Sequence, residues 1–221
     1  TVTLTVDTIR PTIAITSNVS ALKAGETATI TFTLSEASTD FTAADVNATG
    51  GTISDFAGSG TAYTATFTPT ADSTANGVIS VASATFADAA GNTNNDGADT
   101  NNSVTLTVDT ATPSAPSITS ITDDISPLTG TVASGGSTND TVLVIAGTAE
   151  ANSTVTLYNG NTSLGTASAN GSGAWSFTTA TLSNGSTYSF NATATDAAGN
   201  GSAASANYTV TVDTAAPAAP V

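Results

Sequence analysis

Carboxylates supply most of the chemistry available to this sequence. Its 221 residues include 17 acidic and two basic ones, with no histidine and no cysteine. The acids recur in two motifs. A D-T-x-x-P motif begins at each of three aspartates, Asp7, Asp109 and Asp213, and a D-A-A-G-N motif spans 88–92 and 196–200. Carboxylate and amide oxygens are the ligands that hard cations such as calcium prefer, so recurring acids of this kind point to metal binding.

The motifs return after about a hundred residues, which indicates internal repeats. The segment V-T-L-T-V-D-T starts at Val2 and again at Val104, and a close copy ends at Thr214. The predicted divisions are the end of a preceding repeat, two full repeats and a linker to a following one: 1–7, 8–109, 110–213 and 214–221. The chain opens in mid-strand, so we expect a piece of a longer protein. Most of the prolines lie at the joints, which should make the connections short and stiff.

Within each repeat, apolar and polar residues alternate as in antiparallel strands with one buried face. Turn clusters rich in glycine and asparagine interrupt this alternation, and no stretch has the period of an amphipathic helix. About seven strands per repeat predict an all-β protein of two tandem immunoglobulin-like β-sandwich domains arranged end to end. The strands expected in the first repeat are 12–17, 27–35, 42–48, 51–56, 61–68, 77–86 and 102–108. Those expected in the second are 117–122, 141–148, 154–159, 162–168, 173–179, 186–195 and 205–212.

Such a sandwich brings three acidic positions to one end of each domain. That end receives the incoming chain, the loop between the second and third strands, and the loop between the last two strands. The corresponding residues are Asp7, Glu36 and Asp88 with Asn92 in the first repeat, and Asp109, Glu150 and Asp196 with Asn200 in the second. Clustered carboxylates repel one another, and a Ca²⁺ ion would reverse that repulsion. We therefore predict a calcium site in each repeat, with Asp213 as half of a third.

A turn explains either motif taken alone. D-x-x-G is typical of a type I turn, and an aspartate before threonine can accept local backbone N–H groups. Because the three-way coincidence occurs in two diverged repeats, we favour the metal. Two weaker groups of candidate ligands could equally be solvated polar loops: Asp123, Asp124, Asn139 and Asp140 in the second repeat, and Asp96 and Asp99 in the first.

The composition excludes several classes of function. Without histidine and cysteine, the chain cannot form a Ser-His-Asp triad, a Cys-His pair or the usual zinc sites. Arg10 and Lys23 are too few cations for nucleic-acid binding, and no apolar run approaches the ~20 residues that cross a membrane. A glycosidase-like carboxylate pair would need an aromatic-lined cleft, whereas aromatic residues make up only 5% of the chain. We expect no enzyme activity, no small-molecule substrate, no nucleic acid and no direct membrane insertion.

The motifs resemble those of bacterial Ig-like repeats from the extender regions of large surface adhesins, the biofilm-associated and RTX types exported by type I secretion. The resemblance rests on the D-T-x-x-P linkers, on the D-A-A-G-N loops and, in the second repeat, on 121–124, 147–150 and 175–177. The first repeat departs after its second strand and resembles a different subtype. The resemblance implies an extracellular, monomeric spacer on the bacterial cell surface. Ca²⁺ would rigidify it, its partners would be neighbouring repeats in the same chain, and it would hold out a distal ligand-binding domain.

Outward threonines suggest an alternative, a carbohydrate- or ice-binding adhesion module. The candidate ladders are Thr3/Thr5, Thr29/Thr31/Thr33 and Thr105/Thr107. They belong to separate strands, and threonine commonly fills solvent-facing strand positions, so we favour the spacer. Trp175 could stack on a sugar, but it lacks aromatic neighbours and is better placed in a core.

Overall fold

The computed structural model describes residues 2–3, 6–96 and 99–216. The chain falls into two units, Thr1–Ala111 and Thr112–Val221, each with its own hydrophobic core. Parts of three sequence predictions lie outside the described residues: positions 1, 4 and 5 of the opening strand, positions 97 and 98 of the loop after Asp96, and 217–221 of the final linker.

Unit 1 is a sandwich of two sheets. Its strands are β1 (Ile13–Ser17), β2 (Ala21–Lys23), β3 (Ala28–Ser38), β4 (Val46–Thr49), β5 (Gly51–Pro69), β6 (Gly77–Val81) and β7 (Ser103–Asp109). One sheet has the order β1-β3-β5 and the other β2-β7-β6-β4. The alternation along β3 buries Ala28, Ile30, Phe32 and Leu34, as the sequence predicts. Each fully buried leucine or phenylalanine contributes roughly 1.5–3 kcal/mol of hydrophobic stabilisation.

Four predicted strands of unit 1 differ in the structure. Segment 42–48 begins with a 3-10 turn, Ala43–Asp45, because Asp45 accepts the N–H of Thr42 at 2.8 Å. Segments 51–56 and 61–68 are one strand, β5, which is bent rather than ended by glycines with positive φ at 58 and 60. The strand predicted at 77–86 stops at Val81. Beyond it, the Asn94 side chain accepts the backbone N–H groups of Thr85 and Phe86, which replaces ladder pairing.

Unit 2 is also a two-sheet sandwich. Its strands are β8 (Ser117–Asp123), β9 (Gly130–Thr131), β10 (Gly136–Thr138), β11 (Val144–Thr148), β12 (Thr154–Asn159), β13 (Thr162–Ser168), β14 (Ala174–Thr178), β15 (Thr187–Thr195) and β16 (Tyr208–Val212). The sheets have the orders β14-β11-β8-β9 and β10-β16-β15-β12-β13. Trp175 is only 4% exposed and belongs to the core, which agrees with the packing interpretation rather than the sugar-stacking one.

Three short strands, β2, β9 and β10, escaped the sequence analysis. β2 runs parallel to β7, the last strand of unit 1, and β10 runs parallel to β16, the last strand of unit 2. β2 and β10 have three residues each and β9 has two, which is too short for an alternation to be recognised. Within the described part of the chain, no helix has the length and apolar character needed to cross a membrane.

Candidate metal centre

The three acids predicted to meet in unit 1 lie together. Asp7, Glu36 and Asp88 each offer a carboxylate oxygen, and these oxygens all lie within 4.8 Å of one another. Asp7 comes from the segment that enters the unit, Glu36 from β3, and Asp88 from the loop after β6. Two oxygens that each lie about 2.4 Å from one Ca²⁺ ion are at most about 4.8 Å apart, so this spacing fits a single shared ion.

Asp88 is held by a tight turn. Its N–H donates to the carbonyl of Asn92 at 3.1 Å, and its carbonyl accepts the N–H of Gly91 at 3.2 Å. Its Oδ1 accepts the N–H groups of Ala90 and Asn92, and its Oδ2 accepts the Asn92 side-chain amide at 2.8 Å. Led by the Asn92 amide, these bonds lower the pKa of Asp88 from its ordinary value of 3.8. The turn and the acid cluster therefore coexist, because Asp88 serves both.

Asn92 connects the incoming segment to this turn. Its side-chain nitrogen donates to Asp88 Oδ2 and also lies 3.3 Å from the carbonyl oxygen of Asp7. The Asp7 carboxylate in turn accepts the N–H of Ile9 at 3.1 Å, which shapes the start of the D-T-x-x-P segment. The Asn92 side-chain nitrogen thus fastens the Asp7 backbone beside the Asp88 carboxylate, and the role of Asn92 as a metal ligand stays a prediction.

Charge repulsion within the cluster acts on Glu36. Its Oε1 is buried and has no hydrogen-bond partner. Desolvation, and then the negative charges of Asp7 and Asp88, raise the pKa of Glu36 above 4.5. A carboxylate that faces two like charges, and has one buried oxygen without a donor, is stabilised by a cation. The donor set of three carboxylates suits Ca²⁺, which takes oxygen ligands in flexible geometry.

Hydrogen bonds of Asp40, which the sequence analysis missed, hold the residues next to Asp88. Asp40 Oδ1 accepts the N–H of Ala87 at 2.9 Å and the Ser38 hydroxyl at 2.7 Å. These bonds, the Ala87 bond first, lower the pKa of Asp40. Ser38 also forms an isolated β-bridge with Asp88. Asp40 and Ala87 are far apart in the chain, so no local sequence signal could have paired them.

In unit 2, the second D-A-A-G-N loop repeats this geometry. Asp196 Oδ1 accepts the N–H of Asn200, and its Oδ2 accepts the Asn200 amide, both at 2.8 Å. Desolvation alone would raise the pKa of Asp196, but the hydrogen bonds from Asn200 and its neighbours outweigh it and lower the pKa. Glu150 follows β11, and its carbonyl accepts both the N–H and the hydroxyl of Ser153. Asp109 ends β7 of unit 1, so the triad of Asp109, Glu150 and Asp196 draws on both units and stays a prediction.

The Asp96 loop is built around internal hydrogen bonds. Asp96 is buried, and its Oδ1 accepts the N–H of Ile13 on β1 while its Oδ2 accepts the Asn94 amide. Asp99 is exposed and accepts the N–H of Asn101 at 3.1 Å. The structure thus gives both predicted ligands a local structural role, with Asp96 tying the loop to β1.

The group of candidate ligands predicted in unit 2 contains both buried and exposed acids. Asp123 and Asp140 are buried and lie on either side of Thr138, whose hydroxyl donates to Asp123 Oδ2 and accepts the N–H of Asp140. Asp124 is exposed to solvent. Asp213, predicted as half of a third site, donates its N–H to the carbonyl of Thr138. Thr138 is therefore the residue that brings these positions together, and no sequence motif marked it.

The two sandwiches and their repeated D-A-A-G-N loops define a protein built of tandem immunoglobulin-like domains. Two family models, both described as bacterial Ig-like domains, match 7–108 and 113–214. The chain belongs to this family. No curated protein matches the sequence.

Solved structures give distant matches. A biofilm-associated protein BSP domain is 18% identical over 93% of this chain and 30% of that one, with a TM-score of 0.30. The adhesin InvE of Yersinia pseudotuberculosis is 16% identical over 90% of this chain and 58% of that one, with a TM-score of 0.33. The ligand-binding domain of human OSCAR is 11% identical over 90% of this chain and 98% of that one, with a TM-score of 0.33. Likenesses at this level carry no argument about function.

Proposed function

We propose that this chain is a structural extender of a bacterial surface adhesin, in which Ca²⁺ bound at the joints between repeats stiffens the chain. The observation that carries the proposal is the cluster of Asp7, Glu36 and Asp88, whose oxygens lie within 4.8 Å of one another. One member belongs to the incoming segment and two belong to the sandwich. An ion held by all three would fix the direction in which the chain enters the domain.

The electrostatics of the cluster support an ion. Glu36 has a buried oxygen without a donor and a raised pKa, so the three charges oppose one another when no cation is present. Binding of Ca²⁺ to the folded arrangement would remove this repulsion and add to the stability of the fold.

The linker motif has the same local geometry at each joint. In Asp7, Asp109 and Asp213, Oδ1 accepts the backbone N–H two residues further on, at 3.1, 3.2 and 3.0 Å. The three segments therefore begin in the same way. This supports the proposal that Asp109 acts with Glu150 and Asp196 as Asp7 acts with Glu36 and Asp88.

An extracellular position follows from the proposed chemistry. Sites in extracellular modules bind Ca²⁺ with affinities of ~10⁻⁴–10⁻³ M, which the millimolar concentrations outside cells saturate and cytosolic concentrations do not. The chain would then stay loose before export and stiffen outside. In this proposal the partners of each repeat are its neighbours in the same monomeric chain, and the module has no catalytic role.

A calcium titration followed by thermal unfolding tests the joint site. Ca²⁺ at about ten times its Kd should raise the free energy of unfolding by about 1.4 kcal/mol, which corresponds to several degrees in Tm for a domain of this size. Glu36→Gln should reduce the calcium-dependent rise. Asp55→Asn is the matched control, because Asp55 is an exposed acid whose positive φ asparagine also tolerates. A calcium response that is equal in both variants would contradict the site.

Solution scattering tests the extender role. With Ca²⁺ present, the maximum dimension of the wild-type chain should exceed that measured with a chelator. Asp109→Ala should abolish much of this difference, because it removes the linker carboxylate between the two repeats. Equal dimensions with and without Ca²⁺ would remove the stiffening mechanism, even if calcium were bound.

One observation favours the ice- or carbohydrate-binding alternative. On the outer face of the β1-β3-β5 sheet, Thr31 pairs with Thr16 on one side and Thr64 on the other, and Thr29 pairs with Thr66. The threonines therefore form a patch across three strands rather than isolated ladders. If this patch bound ice or glycans, the wild-type protein would shape ice crystals or give a glycan-array signal, and Thr31→Tyr would abolish it. A spacer should show neither activity.

A further inference from the structure

Thr110, the threonine of the D-T-x-x-P motif that follows β7, is buried at the end of unit 1, with only 5% of its surface exposed. Its N–H donates to the carbonyl of Ser73 at 2.9 Å, and its hydroxyl oxygen accepts the N–H of Ser73 at 3.0 Å. The hydroxyl donates to the carbonyl of Thr70 at 2.7 Å, the shorter of its two acceptor contacts. Thr110 therefore fastens the start of the linker, through both its backbone and its side chain, to the loop between β5 and β6.

These bonds continue the pairing of β6 with β7 into the linker. Gly77 of β6 pairs with Leu106 of β7 in antiparallel register. Ser73 lies four residues before Gly77, and Thr110 lies four residues after Leu106, so Ser73 and Thr110 face each other in the same register. The order of the sheet thus extends past the end of β7 to the second residue of the D-T-x-x-P motif.

The equivalent position of unit 2 is held in a different way. Thr187 pairs with Thr211 in the last two strands, and in this register Thr214 faces Asn184. The N–H of Thr214 donates to Asn184 Oδ1 at 2.8 Å. Thr214 is exposed, and its hydroxyl forms no hydrogen bond with any residue that the structure describes. Of these two threonines, only Thr110 is fixed through its side chain.

The groups that hold Thr110 are neutral and lie away from the acid cluster. Thr110 lines one cleft with Thr27, which precedes the start of β3, whereas Glu36 lies near the other end of that strand. Hydroxyl, amide N–H and carbonyl groups carry no charge that an ion would have to balance. The residue after Thr110 is also tied down, because the N–H of Ala111 donates to Asp109 Oδ1 at 3.2 Å.

We propose that Thr110 is a positioning residue that fixes the direction in which the chain leaves unit 1, and that it does so without an ion. The inference rests on the proposed extender function and deepens it. Ca²⁺ would orient the segment that enters a repeat, whereas Thr110 orients the segment that leaves one. When Ca²⁺ is removed, the linker should stay ordered as far as Ala111.

The test is ¹⁵N relaxation and hydrogen exchange of the full chain in a chelator. The backbone order parameter of Ala111 should match that of a rigid strand, about 0.85. Thr110→Val removes the hydroxyl with little change in side-chain shape, and the order parameter of Ala111 should then fall below about 0.6. The N–H of Ser73 loses its acceptor in this variant, so its hydrogen exchange should become roughly tenfold faster.

Two variants serve as controls. Thr110→Ser keeps the hydroxyl and should restore the order of Ala111 and the slow exchange of Ser73. Thr214→Val makes the same replacement at the exposed threonine of unit 2, where the described structure gives the hydroxyl no partner. Its order parameters and exchange rates should equal those of the wild type.

An order parameter of Ala111 below about 0.6 in the wild-type chain would overturn the proposal, whether or not a variant folds. So would a Thr110→Val chain in which Ser73 exchanges faster while Ala111 stays ordered, because Thr110 would then only close the loop. The measurement is made without Ca²⁺, so a failure of calcium binding at the joints does not change its result, and the two failures are distinguishable.

Discussion

Replacing Asp96 with alanine should destabilise unit 1 through one lost backbone acceptor. Asp96 Oδ1 accepts the N–H of Ile13 at 2.6 Å, and Ile13 is only 1% exposed, so this N–H is removed from bulk water. Leaving a buried donor unsatisfied costs about 1–3 kcal/mol. The Asn94 amide, which also bonds Asp96, keeps the carbonyl of Ala82 at 2.9 Å as a partner and adds little. For a domain of roughly a hundred residues, this corresponds to a Tm about 4–12 °C lower.

Two probes separate the units in this experiment. The single tryptophan, Trp175, lies in the core of unit 2, so its fluorescence follows that unit. Far-ultraviolet circular dichroism follows both units. In Asp96→Ala, the circular dichroism transition should begin at a lower temperature while the fluorescence transition stays in place. Asp99→Ala is the control, because Asp99 is exposed and its N–H···O bond to Asn101 is local.

The experiment also separates the hydrogen-bond role from the predicted metal role of Asp96. The loss of stability should be the same in calcium and in chelator, because the broken bond is internal to the protein. A Tm equal to that of the wild type in chelator, with a deficit only in calcium, would refute the hydrogen-bond reasoning.

Two further predictions concern unit 2. Gly147→Ala should destabilise it by about 1–3 kcal/mol, because an added Cβ would overlap the Ser117 carbonyl and lie 2.6 Å from the Trp175 ring; an unchanged fluorescence Tm would contradict this packing. Asp196→Asn should flatten the acid side of the pH–stability profile. The lowered pKa of Asp196 means that its contribution is complete above its ordinary value of 3.8 and is lost as the pH falls through the folded-state pKa. A melting series from pH 2 to 6 that shows parallel profiles would exclude this contribution.

The sequence could predict what depends on local periodicity and on repeat comparison. The period-two pattern of β3 indicates its buried face directly, because each apolar residue falls on the same side of the strand. Comparison of the repeats selected Asp7, Glu36 and Asp88 from 17 acids, and the structure brings these three together. The sandwich topology was needed as well, since it determines which loops share an end of the domain and therefore which acids lie close together.

The parts that could not be predicted depend on contacts between distant residues. The Asp40 bond to Ala87 and the Asp96 bond to Ile13 join loops to segments far away in the chain. The residues that flank Asp40 and Asp96 in the sequence do not distinguish them from acids that are exposed to solvent. The three-residue strand β10 was too short to detect, so the meeting of Thr138 with Asp123 and Asp213 was also hidden. Its detection requires the register of the parallel pairing with β16.

Anomalous diffraction from crystals grown with Ca²⁺ tests the calcium mechanism most directly. The mechanism predicts an anomalous peak between Asp7, Glu36 and Asp88, with carboxylate oxygens at about 2.3–2.6 Å from it. A well-ordered cluster that contains only water in millimolar calcium would contradict it.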